Sequence, residues 1–244
     1  LHKRSFYVSP DNTDGKSVLL KGKEAHHLAS VVRSKPGDVI FAVDGCGTCY
    51  SVELTEINTK SVKGRVLKVL RGFGEPVTEV TLAAGIVKGS RFDWIVEKAT
   101  ELGVKRIIPF ISENSVVSGS NNKLTRWRRI AMSAMKQSLR SAVPEVTEVV
   151  PLTRVLTGRT GSVRIIAVNS PVSVDFNQLR ARQTSARQKV IVVVGPEGGF
   201  TQQEVDEAVD QSFIPVTLGQ RRLRTETAAV TVLSIIFNMF GEMR

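Results

Sequence analysis

Apolar and polar residues alternate over short stretches in the first third of the chain and recur as unbroken runs in the rest. Residues 4–8, 39–43, 50–57 and 62–70 are short, rich in β-branched and aromatic side chains and partly alternating, which predicts strands. Residues 44–48 form a glycine-rich turn between two of them. One helix is predicted over 23–34, carrying His26, His27 and Leu28 and closed by Pro36-Gly37-Asp38. A small β-barrel holding one helix is the simplest architecture. Arg71-Gly72-Phe73-Gly74-Glu75-Pro76 has two glycines, a proline and no apolar periodicity. It reads as a linker between a unit at 1–72 and another at 76–244.

Beyond it the rhythm changes. Residues 80–86, 107–111, 165–169, 190–194 and 216–218 are apolar runs alternating with helical segments, the pattern of an α/β domain with a mainly parallel sheet. A helix over 91–102 collects Phe92, Ile95, Val96, Ala99 and Leu102 on one face, with Gly103 as its stop. A helix over 124–140 places Trp127, Ile130, Ala131, Ala134 and Ser138 on one side and Arg126, Arg129, Lys136 and Arg140 on the other. No acidic residue lies within that helix, so the usual i,i+4 ion pairs are absent. A solvated face is the bland reading; neutralisation by a phosphate backbone is the one favoured here. The polar, arginine-rich stretch 178–188 reads as a helix with a solvated loop. The last helix, 228–240, is apolar on most sides, which predicts burial by its own domain or by a second subunit.

Composition adds bounds. With 41% hydrophobic and 23% charged residues the chain can bury ordinary cores and is not extensively disordered. No apolar run reaches bilayer length, and the N-terminus has no signal-peptide core. A cytoplasmic protein is expected, or one in an organelle stroma or matrix if a transit peptide has been removed. The net charge of +11 is spread over both units, which suits a large polyanion better than a small acidic metabolite. Cys46 and Cys49 have C-x-x-C spacing. A zinc site needs two more ligands, and a redox pair normally opens a helix, whereas these flank a hairpin turn. Incidental free thiols and no metal are expected.

Two motifs carry chemistry. In the first, an apolar strand runs into Gly195-Pro196-Glu197-Gly198-Gly199, followed by Thr201 and Glu204 at capping-box spacing. Three glycines exceed what a bare turn requires and let a ligand approach the backbone. The carboxyl end of a strand is where open α/β sheets bind ligands. Neither phosphate-binding glycine fingerprint is present, and Glu197 would repel a phosphate, so a cofactor with a positive centre or hydroxyl and amine donors fits better. In the second, Leu218-Gly219 ends a strand, and the basic loop Gln220-Arg221-Arg222-Leu223-Arg224 leads to Thr225-Glu226-Thr227-Ala228 and the apolar helix. Thr225 or Thr227 is the expected cap, and at least one of the arginines is expected to point into the pocket.

Gly195–Gly199, Leu218-Gly219 and Leu223–Ala228, in this order, resemble the RsmE family of SPOUT-class RNA methyltransferases. The resemblance spans nearly the whole chain. Residues 4–8 resemble the family's opening strand. His26-His27-Leu28, Arg33, Gly37-Asp38 and Asp44-Gly45 resemble its PUA-like barrel, and residues 97–104, Gln137-Ser138, Arg140 and Pro144 also match. The chain departs from the family at Lys136, where an acid is usual, and at Leu139, where a glycine is usual. These departures bear on that helix end and the RNA fit there, not on the pocket.

The resemblance implies an N-terminal PUA-like β-barrel, a C-terminal α/β domain knotted as a trefoil, and methylation of N3 of a uridine in small-subunit (16S) ribosomal RNA. The implied donor is S-adenosylmethionine, surrounded by Val168, Asn169, Ser170, Gly195, Pro196, Glu197, Gly198, Gly199, Leu218, Gly219, Leu223, Arg224, Thr225, Thr227 and Ala228. Uracil N3 holds a proton at neutral pH, so the site must stabilise the uracil anion, remove the proton, or both. Arg224 is the candidate stabiliser and Glu197 or Glu226 the candidate proton acceptor, against purely structural roles for both glutamates. RNA contacts are expected from Arg4, His26, Arg33, Arg126, Arg129, Lys136 and Arg140, with His27 an ordinary half-buried residue. A homodimer acting on the ribosomal RNA of the assembled subunit is implied. The competing readings are a SPOUT enzyme acting on another RNA base and a non-catalytic RNA-binding assembly factor.

Overall fold

The computed structural model describes residues 5–116, 121–158, 163–181 and 188–243. Two units emerge: the chain up to Glu75 together with Met132–Val143, and Pro76–Ala131 together with Pro144–Arg244.

In the first unit, β1 (Ser5–Tyr7), β2 (Ser17–Lys21), β3 (Val39–Val43), β4 (Thr48–Ile57) and β5 (Ser61–Arg71) form one sheet in the order β1-β3-β4-β5-β2. β1 runs parallel to β3 and the other pairs are antiparallel. Alternation sends Phe6, Val18, Leu20, Ile40, Val52, Leu54 and Val62 into one core. β3 is apolar throughout because its other face is covered as well: Phe41 and Val43 pack with Cys49 and Met135. β2 escaped the sequence reading, since its five residues hold only three apolar positions. The predicted helix is real but changes pitch. α1 (Lys23–His26) passes into a π-helical turn, His27–Val32, closed by Arg33 in the left-handed region at φ 57°.

The segment read as a linker is tightly held. Gly74 sits at φ 72°, and a Cβ there would lie 2.5 Å from the Leu139 carbonyl oxygen. The Glu75 carboxylate accepts bonds from Arg140 Nη2 at 2.6 Å and from the Ser141 and Ala142 amides at 2.9 Å each.

The second unit is built on a parallel sheet: β6 (Glu79–Gly85), β7 (Arg106–Ile111), β8 (Glu145–Val146), β9 (Val150–Pro151), β10 (Val163–Ala167), β11 (Lys189–Val194) and β12 (Ile214–Val216). Its order is β12-β10-β11-β6-β7-β8, with β9 also on β7. α2 (Arg91–Leu102) ends as predicted at Gly103, φ 110°. α3 (Asn121–Gln137) contributes its first turns to this unit and its last to the other. α4 (Leu152–Thr157), α5 (Phe176–Ala181), α6 (Gln202–Asp210) and α7 (Thr225–Met239) complete it. The five apolar residues Val190–Val194 are buried on both faces of the sheet, which explains their unbroken run. Ile191 and Val193 meet Leu152, Val155 and Ala208 from α4 and α6. α7 packs on α2, β6 and β11 and buries Ala229, Val232, Leu233, Ile236 and Phe237. Its cap is Arg224, with no side-chain bond, so neither Thr225 nor Thr227 caps it; Thr225 is the first helical residue and is buried.

Candidate active site at the carboxyl edge of the parallel sheet

Because β6, β10, β11 and β12 are parallel, their carboxyl ends open on one edge. There the connections after β10, β11 and β12 enclose a cavity of about 430 Å3. Val168, Asn169, Gly195, Pro196, Glu197, Gly199, Leu218, Gly219, Leu223, Thr225 and Ala228, all expected at the cofactor, line it. Ser170, Gly198, Arg224 and Thr227 do not. Ser170 instead belongs to a turn whose Ser173 hydroxyl donates to the Val168 carbonyl at 2.8 Å.

The glycines answer to different needs. Gly199 at φ 70° and Gly219 at φ 99° turn the chain, and nothing stands within 4 Å of where their Cβ atoms would be. Gly198 lies against the chain at Asn114, whose Cβ would be 2.8 Å from a new Cβ. Gly85 at the end of β6 was missed: a Cβ there would come within 2.5 Å of the Pro196 nitrogen. Its signal was a glycine closing an apolar strand. Ala167, Val194, Phe200, Gln220, Arg221 and Arg222 were also missed as lining residues. Phe200 stands just before the helix cap, where an apolar residue commonly fixes the entry angle of the chain; its ring stacks on Phe110.

The turn is braced from outside. Thr201 and Glu204 form the predicted capping box, and Glu204 Oε1 also accepts from the Glu113 amide at 2.9 Å. Glu197 does not present a free charge to the cavity. Its Oε1 takes Arg91 at 2.7 Å and the Lys88 amide at 3.2 Å, while Oε2 is buried without a hydrogen-bond partner among the described residues. Arg91 compensates the Glu197 carboxylate, so this side chain does not by itself repel a phosphate. Across the cavity, Arg222 Nη2 donates to the Glu197 carbonyl at 3.3 Å. Arg224 is exposed beyond the lining. Glu226 is half-buried, has no ion pair among the described residues, and carries a buried Oε2 without a partner.

The basic stripe on α3 is corrected by tertiary contacts. Arg140 is 3% exposed and bound to Glu75, so it is not a surface RNA ligand. Lys136 is half-buried against Glu24. Arg126 pairs with Asp93 at 2.6 Å, and Arg129 remains exposed. The acids absent from the helix itself arrive from other elements. His26 and Arg33 are exposed on the barrel; His27, expected half-buried, is exposed too, with its ring edge on Phe6. Arg4 lies outside the described residues, as does most of the stretch 178–188. Cys46 is exposed and Cys49 buried, both free thiols.

Comparison with known proteins places this architecture in a class. Residues 74–237 match the RNA methyltransferase domain family and residues 20–67 the RNA methyltransferase PUA domain. The chain belongs to the RNA methyltransferase family. Within it, the chain is a member of the ribosomal RNA small subunit methyltransferase E group. The relative of that name from Bacillus subtilis is 32% identical over 225 residues, 89% of this chain and 88% of the relative. That from Synechocystis is 31% identical over 94% of this chain and 75% of its own length. The crystal structure of the Neisseria gonorrhoeae ribosomal RNA small subunit methyltransferase E bound to S-adenosyl methionine superposes with a TM-score of 0.85 at 31% identity, covering 98% of each chain.

Proposed function

We propose that this protein transfers a methyl group from S-adenosylmethionine to N3 of a uridine in 16S ribosomal RNA. The observation that carries it is the cavity where the Gly195–Gly199 turn and the Leu218–Ala228 segment face each other across the sheet edge. Mass mapping of nucleosides in ribosomal RNA from a deletion strain, with and without complementation, tests it. Unmethylated uridine that complementation leaves unmethylated overturns it.

The residues present fit this cofactor. A volume of about 430 Å3 is within the range of cofactor sites. Val168, Leu218, Leu223 and Ala228 offer apolar walls, and the turns offer backbone donors and acceptors, as an adenine ring requires. Arg221 and Arg222 stand ready for a carboxylate. Once bound, S-adenosylmethionine supplies an electrophilic methyl group on its sulfonium. The remaining work belongs to the chain. Arg224, exposed beside the lining residue Leu223, stabilises the charge that develops on the uracil oxygens as the N3 proton leaves. Glu197, committed to Arg91, shapes the turn rather than taking the proton. Glu226, whose Oε2 has no hydrogen-bond partner among the described residues, is the better acceptor. Arg224→Ala should lower single-turnover methylation by about 100-fold with cofactor affinity intact, and Arg224→Lys should recover part of the loss. An unchanged rate removes Arg224 from catalysis.

The unit at 1–72 grips RNA through the exposed His26 and Arg33 and the lysines around them; the unit at 76–244 carries the reaction. The return of the chain from edge strand β12 to α7, packed against the central β6 and β11, supports a trefoil threading of that unit. The protein works in the cytoplasm as a homodimer on the assembled small subunit. Dimerisation through α7 is supported by Val230, Ile235 and Met239, which stay only half-buried, and by Trp94, 42% exposed on the neighbouring α2.

A further inference from the structure

The turn after β11 closes on itself through the Gly199 amide, which donates to the Pro196 carbonyl at 2.9 Å. Its two central residues are Glu197 and Gly198. Gly198 has no side chain, so only the Glu197 carboxylate can reach out from the crest of the turn to another element. The backbone on either side is held differently. Gly85 lets the Pro196 nitrogen approach so closely that a Cβ would stand 2.5 Å from it, and Asn114 Nδ2 donates to the Gly198 carbonyl at 3.3 Å.

The carboxylate reaches the start of α2. Arg91 Nη2 meets Glu197 Oε1 at 2.7 Å, the Lys88 amide donates to the same oxygen at 3.2 Å, and Arg91 Nε donates to the Lys88 carbonyl at 3.3 Å. One guanidinium therefore fixes both the β6–α2 connection and the turn after β11, which follow two neighbouring parallel strands. Arg91 is the first residue of α2, where the positive end of the helix dipole opposes a cation. Its side chain is 37% exposed and that of Glu197 27%, and so open an ion pair adds little to global stability. Neither the helix nor overall stability accounts for an arginine here; the geometry of the turn does. Glu197 Oε2 is buried without a hydrogen-bond partner among the described residues. Without Arg91 the half-shielded charge would face a single amide, so the carboxylate would rotate outward and draw the crest with it.

We propose that Arg91 is a positioning residue for the cofactor: through Glu197 it holds the 195–199 turn in the form that S-adenosylmethionine meets. The proposal rests on the methyltransferase reading and deepens it by adding a residue outside the cavity lining. The test uses the full chain. Arg91→Ala should weaken S-adenosylmethionine binding about 10-fold by calorimetry, the loss of one charge-assisted bond. The unfolding midpoint of the cofactor-free protein should stay within about 3 °C of the wild type. Hydrogen exchange in the peptide 195–200 of the cofactor-free protein, followed by mass spectrometry, should quicken by about 10-fold. Arg91→Lys should recover part of the affinity, since an ammonium can pair with Glu197 but lacks the second nitrogen that reaches Lys88. Arg91→Ala combined with Glu197→Ala should bind within about twofold of Glu197→Ala alone, because both changes remove the same tether. Affinity unchanged in Arg91→Ala, exchange unchanged, losses that multiply in the double variant, or a midpoint that falls in step with affinity each overturn the proposal. Uridine methylation of small subunits by the wild type is measured in parallel. Its presence with unmoved affinity and exchange counts against the role of Arg91 alone, and its absence with both effects present counts against the methyl acceptor alone. A wild type that binds no S-adenosylmethionine at millimolar concentration overturns the methyltransferase reading and the proposal together.

Discussion

Leu139 sits at φ 59°, in a region that glycine enters freely and where a side chain costs roughly 1–2 kcal/mol. This position thus has a backbone meaning that no spacing in the sequence conveyed. The side chain is retained against the cluster of Phe41, Val43 and Met135. Leu139→Ala should lose that packing while keeping the strain, whereas Leu139→Gly should lose it and gain relief. Denaturant titration is expected to find the alanine variant the less stable by about 1 kcal/mol, the reverse of the order in an ordinary helix. The thiols also separate at this scale. Burial, and then the charge of Asp44, push Cys49 up to about 11 from its usual 9.0. A thiol whose folded pKa is raised contributes stability below pH 9 that is lost as pH climbs towards 11. At pH 8 an alkylating reagent should label Cys46 alone in the native protein and both cysteines after unfolding. Early labelling of Cys49 contradicts its burial.

Elements show where local patterns sufficed. The capping box of α6 and the glycine stop of α2 were legible because they depend on residues within four positions of each other. Arg164 was not. Its guanidinium lies 4.4 Å from the Phe213 ring centroid and donates to carbonyls of Leu156, Gly158 and Gln211, so one side chain closes the ends of both α4 and α6. Burial pushes its pKa down, yet helix-end carbonyls suit a cation. Arg164→Met should cost about 3 kcal/mol in thermal or chemical unfolding, since charge-assisted bonds to three carbonyls are left unmade. A loss under about 0.5 kcal/mol, the range of an ordinary surface substitution, would mean the clamp is incidental. α3 teaches the converse. Its one-sign stripe looked like a nucleic-acid face, but Glu75, Glu24 and Asp93 neutralise Arg140, Lys136 and Arg126 from other elements.

At the scale of the molecule, a homodimer closed by α7 predicts a definite sedimentation result. The wild type should sediment as a dimer at micromolar concentration, and Ile235→Glu should shift it to monomer with its far-ultraviolet spectrum unchanged. A monomeric wild type would rule out that assembly. Periodicity determined most strand and helix positions, the parallel character of the second sheet and the pocket-forming turns, because each is set by neighbours along the chain and by the two- or 3.6-residue repeat of buried positions. Only the tertiary structure decided the pairing of charges. It showed Glu197 bound to Arg91, Arg140 buried on Glu75, and Arg224 outside the lining that Arg221 and Arg222 share. Ion pairs form between residues brought together by the packing of separate elements, and no local repeat encodes which those will be. The same holds for Gly85, whose missing side chain is needed by a proline more than a hundred residues later in the chain.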